Sequence, residues 1–175
     1  MIDRKPALIA QCLGTSDIVQ AVRLAQEHNL EIAVRGGGHN ASGNAVVGDG
    51  LMIDLSLMKY VHVDPAARTA RVAGGTLWAQ FNREAQVHGL ATTGGVVSST
   101  GVAGLTLGGG LGWLMPKYGM ALDNLRSVEL VLADGRVVRA AADSDPDLFW
   151  AVRGGGGNFG VASSFEFQLH PVGPW

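Results

Sequence analysis

A loop that could bind an anion and carry a nucleophile follows the apolar residues 32–34. It reads Val34-Arg35-Gly36-Gly37-Gly38-His39-Asn40. Three consecutive glycines let a backbone bend sharply and approach a ligand, so their N–H groups can converge on an anion such as a pyrophosphate. Arg35 adds positive charge beside them, and His39 is a nitrogen nucleophile, a metal ligand or a proton carrier. Taken alone, the motif also fits a surface turn with a solvated histidine.

Two more glycine clusters favour a ligand cavity lined by backbone. Residues 101–113 read GVAGLTLGGGLGW and residues 153–160 read RGGGGNFG, and the 26 glycines of the 175 residues are clustered between apolar segments. The last cluster contains G-x-G-x-x-G, but a Rossmann fingerprint needs a strand before it and a helix after it. Residues 161–167 alternate apolar and polar and so predict a strand there instead. The chain contains no G-K-[ST], which excludes a P-loop.

Helix and strand patterns alternate along the chain and must position these loops. Ser16 is predicted to cap a helix that ends near Asn29 and places Ile18, Val22 and Ala25 on one face. Strands are predicted at residues 31–34, 51–55, 60–63, 68–73, 127–132, 136–140 and 161–169, with turns at Asp64-Pro65 and Asp134-Gly135.

Two further helices are predicted. Thr76 is expected to cap a helix that carries Leu77, Phe81 and Ala85 and stops at Gly89. Pro146 suits the first position of a short helix, whose Leu148, Phe149 and Trp150 are expected to pack in the core.

The motifs carry a family resemblance that extends in order over essentially the whole chain. R-G-G-G-H-N, A-S-G-N and the segment 49–56, followed by residues 100–113 and by residues 147–161, resemble the FAD-binding PCMH-type domain of the vanillyl-alcohol oxidase and p-cresol methylhydroxylase superfamily. The berberine-bridge-enzyme-like branch of FAD-linked oxidases is the most similar. The resemblance implies an α+β fold in which two mixed α/β subdomains hold the flavin between them.

The resemblance also implies which residues contact FAD. The first loop would hold the pyrophosphate, the middle cluster would form a second wall, and the last would close over the adenosine or the ring edge. The candidates are Arg35, Gly36, Gly37, Gly38, His39, Asn40, Gly43, Ser99, Thr100, Gly101, Ala103, Gly104, Gly109, Gly160 and Val161.

By this resemblance, His39 occupies the position at which the family bonds FAD covalently through its 8α-methyl carbon. Non-covalent FAD with His39 only lining the loop is the alternative. Some relatives add a second bond from a cysteine whose matching position here is Val97, so a doubly linked flavin is not expected.

The amino-acid composition limits the kinds of partner and the number of domains that the chain can have. With 47% hydrophobic residues, a formal charge of −2 and no Lys/Arg-rich run, the chain predicts one globular domain over residues 1–175, with no nucleic-acid or membrane partner. Cys12 stands alone, and His28, His62, His88 and His170 have no metal-ligand spacing, so no metal site is expected. No signal-peptide order or long apolar run is present, which predicts a cytoplasmic protein.

The resemblance implies an FAD-linked oxidoreductase in which an alcohol, sugar or amine passes a hydride to flavin N5, with dioxygen as the acceptor. Its substrate-binding domain would follow residues 170–175 and is expected to be absent, so no catalytic base can be named; Tyr60 and Tyr118 match no such position. An exposed apolar face would then favour self-association. A stand-alone or truncated flavin-binding module without turnover is the alternative, and a reductase of the UDP-N-acetylenolpyruvoylglucosamine type is a third reading.

Overall fold

The fold, described for residues 2–173 by a computed structural model, consists of ten short strands and five helices. The strands are β1 (Leu8–Gln11), β2 (Ile32–Arg35), β3 (Leu51–Asp54), β4 (Val61–Asp64), β5 (Thr69–Ala73), β6 (Leu90–Ala91), β7 (Leu125–Val131), β8 (Val137–Ala141), β9 (Val161–Gln168) and β10 (His170–Pro171). The helices are α1 (Thr15–Glu27), α2 (Trp78–Gln86), α3 (Val102–Leu107), α4 (Met115–Tyr118) and α5 (Pro146–Val152), with a 3-10 turn at Ala121–Asn124.

The first subdomain is a parallel sheet with α1 packed on it. Its strands lie in the order β1-β3-β2, with Leu51 paired to Leu8 on one side and to Ile32 on the other. Ile18 and Val22 of α1 are buried against β3, as the helical spacing predicts. Because parallel strands end at one edge, the loops that follow β2 and β3 leave the sheet side by side.

The second subdomain is a five-stranded antiparallel sheet in the order β4-β5-β9-β7-β8. The predicted hairpins at Asp64-Pro65 and Asp134-Gly135 are confirmed, because β4 pairs with β5 and β7 pairs with β8. Its core contains Trp78, Phe81 and Phe167, whose rings contact one another at centroid distances of 5.1 to 6.0 Å. The α+β class and the division into two mixed subdomains are therefore confirmed.

Several local predictions are wrong in detail. Helix α1 begins after Gly14 rather than Ser16, and the Asp17 carboxylate accepts hydrogen bonds from the N–H groups of Leu13 (2.8 Å) and Gly14 (3.1 Å). Thr76 does not cap α2, because its hydroxyl donates instead to the carbonyl of Tyr60 at 3.2 Å.

The C-terminal third also differs from expectation. Phe149 is buried, but Trp150 is 75% exposed, because consecutive helix positions point about 100° apart and Trp150 lies outside the face that buries Phe149 and Val152. A short strand, β10, follows β9 and pairs with β6. The predicted exit from the domain at residues 170–175 lies partly outside the described residues. Within residues 2–173, no helix has both the length and the hydrophobicity to cross a membrane.

Candidate functional site

The first and middle glycine clusters meet backbone to backbone. A Cβ built on Gly37 would lie 2.5 Å from the Cα of Gly101, and one built on Gly101 would lie 2.6 Å from the backbone nitrogen of Gly37. Ordinary van der Waals contact begins near 3.4 Å, so neither position accepts a side chain without moving the other loop. The loop after β2 and the segment before α3 thus form two touching walls.

The middle wall is fixed by main-chain hydrogen bonds to the start of α2. Trp78 N–H donates to the carbonyl of Thr100 (3.0 Å), and Ala79 N–H donates to that of Ser98 (2.9 Å). Val102 N–H donates to the carbonyl of Thr76 at 2.9 Å. Since α2 is anchored by the buried rings of Trp78 and Phe81, this wall rests on the core of the second subdomain.

The third glycine cluster is attached to the middle one. The N–H groups of Gly154 and Gly156 both donate to the carbonyl of Leu107, at the end of α3, at 3.0 Å. Gly160 has a φ of +146°, and a Cβ there would lie 2.5 Å from the carbonyl oxygen of Val131. Val161 follows as the first residue of β9, so the predicted strand after this cluster is confirmed and a Rossmann crossover is excluded.

A fourth glycine cluster, the pair Gly74-Gly75, joins the walls. This pair was not identified from the sequence. Gly74 lies against the carbonyl of Ala162 on one side, and its own carbonyl oxygen would be 3.1 Å from a Cβ on Gly36. Its N–H donates to the carbonyl of Ser163 at 2.8 Å. The sequence did contain a signal for this pair, because two glycines directly follow a strand and precede a helix. Both positions require glycine, since a Cβ on either would overlap a backbone carbonyl.

The first loop leaves several main-chain donors free. Among the hydrogen bonds of residues 2–173, none has the N–H of Gly37, Gly38, His39 or Asn40 as its donor. Asn40 is used within the loop instead: its side-chain oxygen accepts from Asn44 N–H (3.1 Å) and its carbonyl accepts from Gly43 N–H (3.2 Å). The turn therefore presents consecutive donors, an arrangement that suits an anion.

Arg35 is shared between the loop and a buried carboxylate. Its Nη1 lies 3.3 Å from Oδ2 of Asp54, whose side chain is 6% exposed, and a Cβ on Gly38 would lie 3.2 Å from its Nε. The other Asp54 oxygen, Oδ1, accepts from Ser56 N–H at 3.0 Å. Asp54 partly neutralises the charge of the Arg35 guanidinium and also holds it in one orientation.

The two side chains relevant to covalent attachment are exposed. His39 lies in the exposed part of the first loop, and no hydrogen bond joins its ring to another of the described residues. Val97 is 51% exposed beside the middle wall. The cradle whose walls exclude Cβ atoms, the free N–H groups and the accessible imidazole fit a cofactor with a pyrophosphate and a ring that carries an electrophilic methyl carbon.

Comparison with known proteins decides the family. The family described as "FAD binding domain" matches residues 6–141. The chain belongs to this family. This FAD binding domain is 46% identical over 169 residues to (R)-6-hydroxynicotine oxidase of Paenarthrobacter nicotinovorans, covering 97% of the chain and 37% of that protein.

Solved structures agree. The chain is 45% identical to a crystal structure of 6-hydroxy-D-nicotine oxidase from Arthrobacter nicotinovorans, with a TM-score of 0.94 over 96% of the chain and 37% of that structure. It is 36% identical, with a TM-score of 0.90 over 95% and 36%, to glucooligosaccharide oxidase from Acremonium strictum, which carries 6-S-cysteinyl, 8α-N1-histidyl FAD. The FAD binding domain thus spans slightly more than a third of the length of these relatives.

These findings confirm the resemblance to PCMH-type FAD-linked oxidases, and FAD as the cofactor of the domain. The rings of the two tyrosines make other contacts within the fold. Tyr118 stacks on His170, and Tyr60 lines a cavity of about 240 Å³ with Leu13 and Ser163. No cluster of three metal-ligating side chains occurs within residues 2–173.

Proposed function

We propose that this domain forms the flavin site of an FAD-linked oxidoreductase and that His39 bonds the flavin covalently. The contact between Gly37 and Gly101 carries the proposal, because it brings the histidine-bearing loop against the middle wall and leaves a row of free N–H groups beside it. When bound, FAD supplies the redox chemistry: it accepts a hydride from an alcohol, sugar or amine carbon and passes electrons to dioxygen.

The chain's own residues would bind and orient the cofactor. In this proposal the N–H groups of residues 37–40 hold the pyrophosphate, and Arg35, fixed by Asp54, adds a charge-assisted contact. Gly43, Ser99, Thr100, Ala103, Gly104 and Gly109 complete the two walls, with Gly160 and Val161 near the adenosine or ring edge. A ring nitrogen of His39 would hold the flavin at its 8α-methyl carbon: that carbon would lose a proton and the imidazole its N–H proton as the bond forms, and the flavin would take up the two electrons and be reoxidised by dioxygen, the acceptor in this proposal. Val97 has no nucleophilic group for a second bond.

The substrate is held by a separate substrate-binding domain in this proposal, and that domain supplies the base. A stand-alone flavin-binding module without turnover is the second candidate. In neither candidate is Tyr118 the base, because its ring is stacked on His170 and its hydroxyl donates to the carbonyl of Pro171 at 3.3 Å. Hydride transfer needs a substrate held in line with the flavin, and alignment accounts for a large part of the barrier.

Absorbance followed by acid precipitation tests the cofactor assignment. Wild-type protein purified with FAD is expected to be yellow and to keep its colour in the acid pellet. His39→Ala should bind FAD but release it into the supernatant. His28→Ala, an exposed histidine at the end of α1, is the matched control and should behave like wild type. Folded wild-type protein that binds no FAD contradicts the proposal; FAD that is bound but released contradicts the covalent bond alone.

A further inference from the structure

A buried carboxamide joins two segments of the second subdomain that are distant in sequence. Asn124 is 4% exposed at the end of the 3-10 turn. Its Nδ2 donates to the carbonyls of Tyr118 (2.9 Å) and Met120 (2.8 Å), and its Oδ1 lies 2.6 Å from Nε2 of His170. The side chain therefore uses both amide hydrogens and its oxygen: two bonds hold residues 118–120, and the third reaches β10.

These contacts fix the orientation of the Asn124 amide and of the rings of His170 and Tyr118. The opposite amide orientation would face Oδ1 toward two carbonyl oxygens, so Nδ2 must be the donor. Oδ1 can only accept, and His170 therefore donates its Nε2–H. The ring of Tyr118 stacks on the imidazole with centroids 4.0 Å apart and planes 7° apart, which leaves little freedom for either ring.

The segment that Asn124 holds is hydrogen-bonded to the middle glycine cluster. Ala121 N–H donates to the carbonyl of Gly110 (2.9 Å) and Leu122 N–H donates to that of Gly109 (3.0 Å). The hydroxyl of Thr93 donates to the carbonyl of Gly119 at 2.7 Å. A displacement of the 3-10 turn would thus be transmitted directly to Gly109 and Gly110.

We propose that Asn124 is a positioning residue of the flavin site, which holds Gly109 and Gly110 in place by fastening residues 118–124 to His170 of β10. The inference rests on the proposed function, since Gly109 is one of the residues assigned to the cofactor walls. Asn124 itself is buried and acts through the turn. Its carboxamide makes the position of the wall depend on β10, which is remote in sequence from the glycine cluster.

Reversible FAD binding in a His39→Ala background tests this role. Asn124→Asp keeps the size and an oxygen acceptor but removes both donors, and we expect FAD affinity to fall about ten-fold because two carbonyls lose their partners. The visible circular dichroism of bound flavin should weaken in parallel. His170→Phe keeps an aromatic ring over Tyr118 but removes the third bond, and it should give a smaller effect of the same kind.

Val128→Ala is the control, because Val128 is a buried core residue of β7 that makes none of these hydrogen bonds. It should lower the melting temperature while leaving FAD affinity and the dichroism of bound flavin near the parental values. If Asn124→Asp and His170→Phe bind FAD as tightly as Val128→Ala, with unchanged dichroism, the positioning role is wrong. If Asn124→Asp does not fold, His170→Phe alone decides. Failure of the folded parent to bind FAD would overturn the proposed function as well.

Discussion

The contact between the first and middle loops makes Gly37→Ala the sharpest perturbation of the site. Gly37 does not have a positive φ, so alanine brings no backbone strain, and the whole effect comes from its methyl group. That methyl would lie 2.5 Å from the Cα of Gly101, about 0.9 Å short of ordinary contact. Since both partners are backbone, the loops themselves must separate.

The size of the effect follows from this displacement. Overpacking of a close contact costs about 1–3 kcal/mol, so we expect a loss of about 2 kcal/mol and a fall in melting temperature of roughly 4–8 °C for a domain of this length. A shift of about 0.9 Å would stretch a donor to phosphate beyond hydrogen-bond range, so losing two such bonds would weaken FAD binding about 100-fold.

Thermal melts of the apo protein and FAD titration in a His39→Ala background measure the two effects. Gly48→Ala is the matched control, because Gly48 has no positive φ and a Cβ there would meet nothing within 4 Å. It should leave both quantities nearly unchanged. Gly37→Ala protein that melts and binds FAD like Gly48→Ala would refute the proposed contact.

Three other predictions concern stability and reactivity. Burial, followed by the nearby charge of Lys117, lowers the pKa of His170 below its usual 6.5, so the unfolded state binds more protons below that value. The contribution of His170 to the free energy of unfolding should be complete above about pH 6.5 and should fall as the pH drops toward the folded pKa. Urea midpoints measured across this pH range would contradict this if His170→Phe and wild type showed the same dependence on pH. Burial raises the pKa of the Cys12 thiol to about 11, with two aspartates adding to the shift, so a disulfide reagent at pH 8 should label it only after denaturation, and rapid labelling of native protein would count against it. Asp54→Asn should lower the free energy of unfolding, measured in urea, by about 1 kcal/mol, because its partner Arg35 is half exposed. The same substitution should reduce FAD affinity, and an unchanged affinity would show that Arg35 does not contact the pyrophosphate.

Local chemistry made much of the fold predictable. The hairpin at Asp134-Gly135 and the start of α5 at Pro146, where Asp145 accepts from Leu148 N–H at 3.3 Å, depend on a few neighbouring residues. The first loop was recognisable because its glycines directly follow an apolar strand. Helix caps were less predictable, since Thr76 makes a tertiary hydrogen bond instead.

The missed features all depend on contacts distant in sequence. The close approach of Gly37 to Gly101 gives each glycine its role, and no local pattern reports it. Gly74 was overlooked because its neighbours, Ala162 of β9 and Leu55, are distant in sequence. The bond between Asn124 and His170 likewise needs β10 to pair with β6, a register that two-residue strands cannot specify by themselves.

Peptide mass mapping of protein saturated with FAD tests the central claim most directly. The account predicts the mass of one FAD on the peptide that contains His39, with every other peptide unmodified and the adduct absent from His39→Ala. An unmodified His39 peptide, or an adduct at another residue, in protein that holds one flavin per chain would contradict the placement of His39 at the flavin ring.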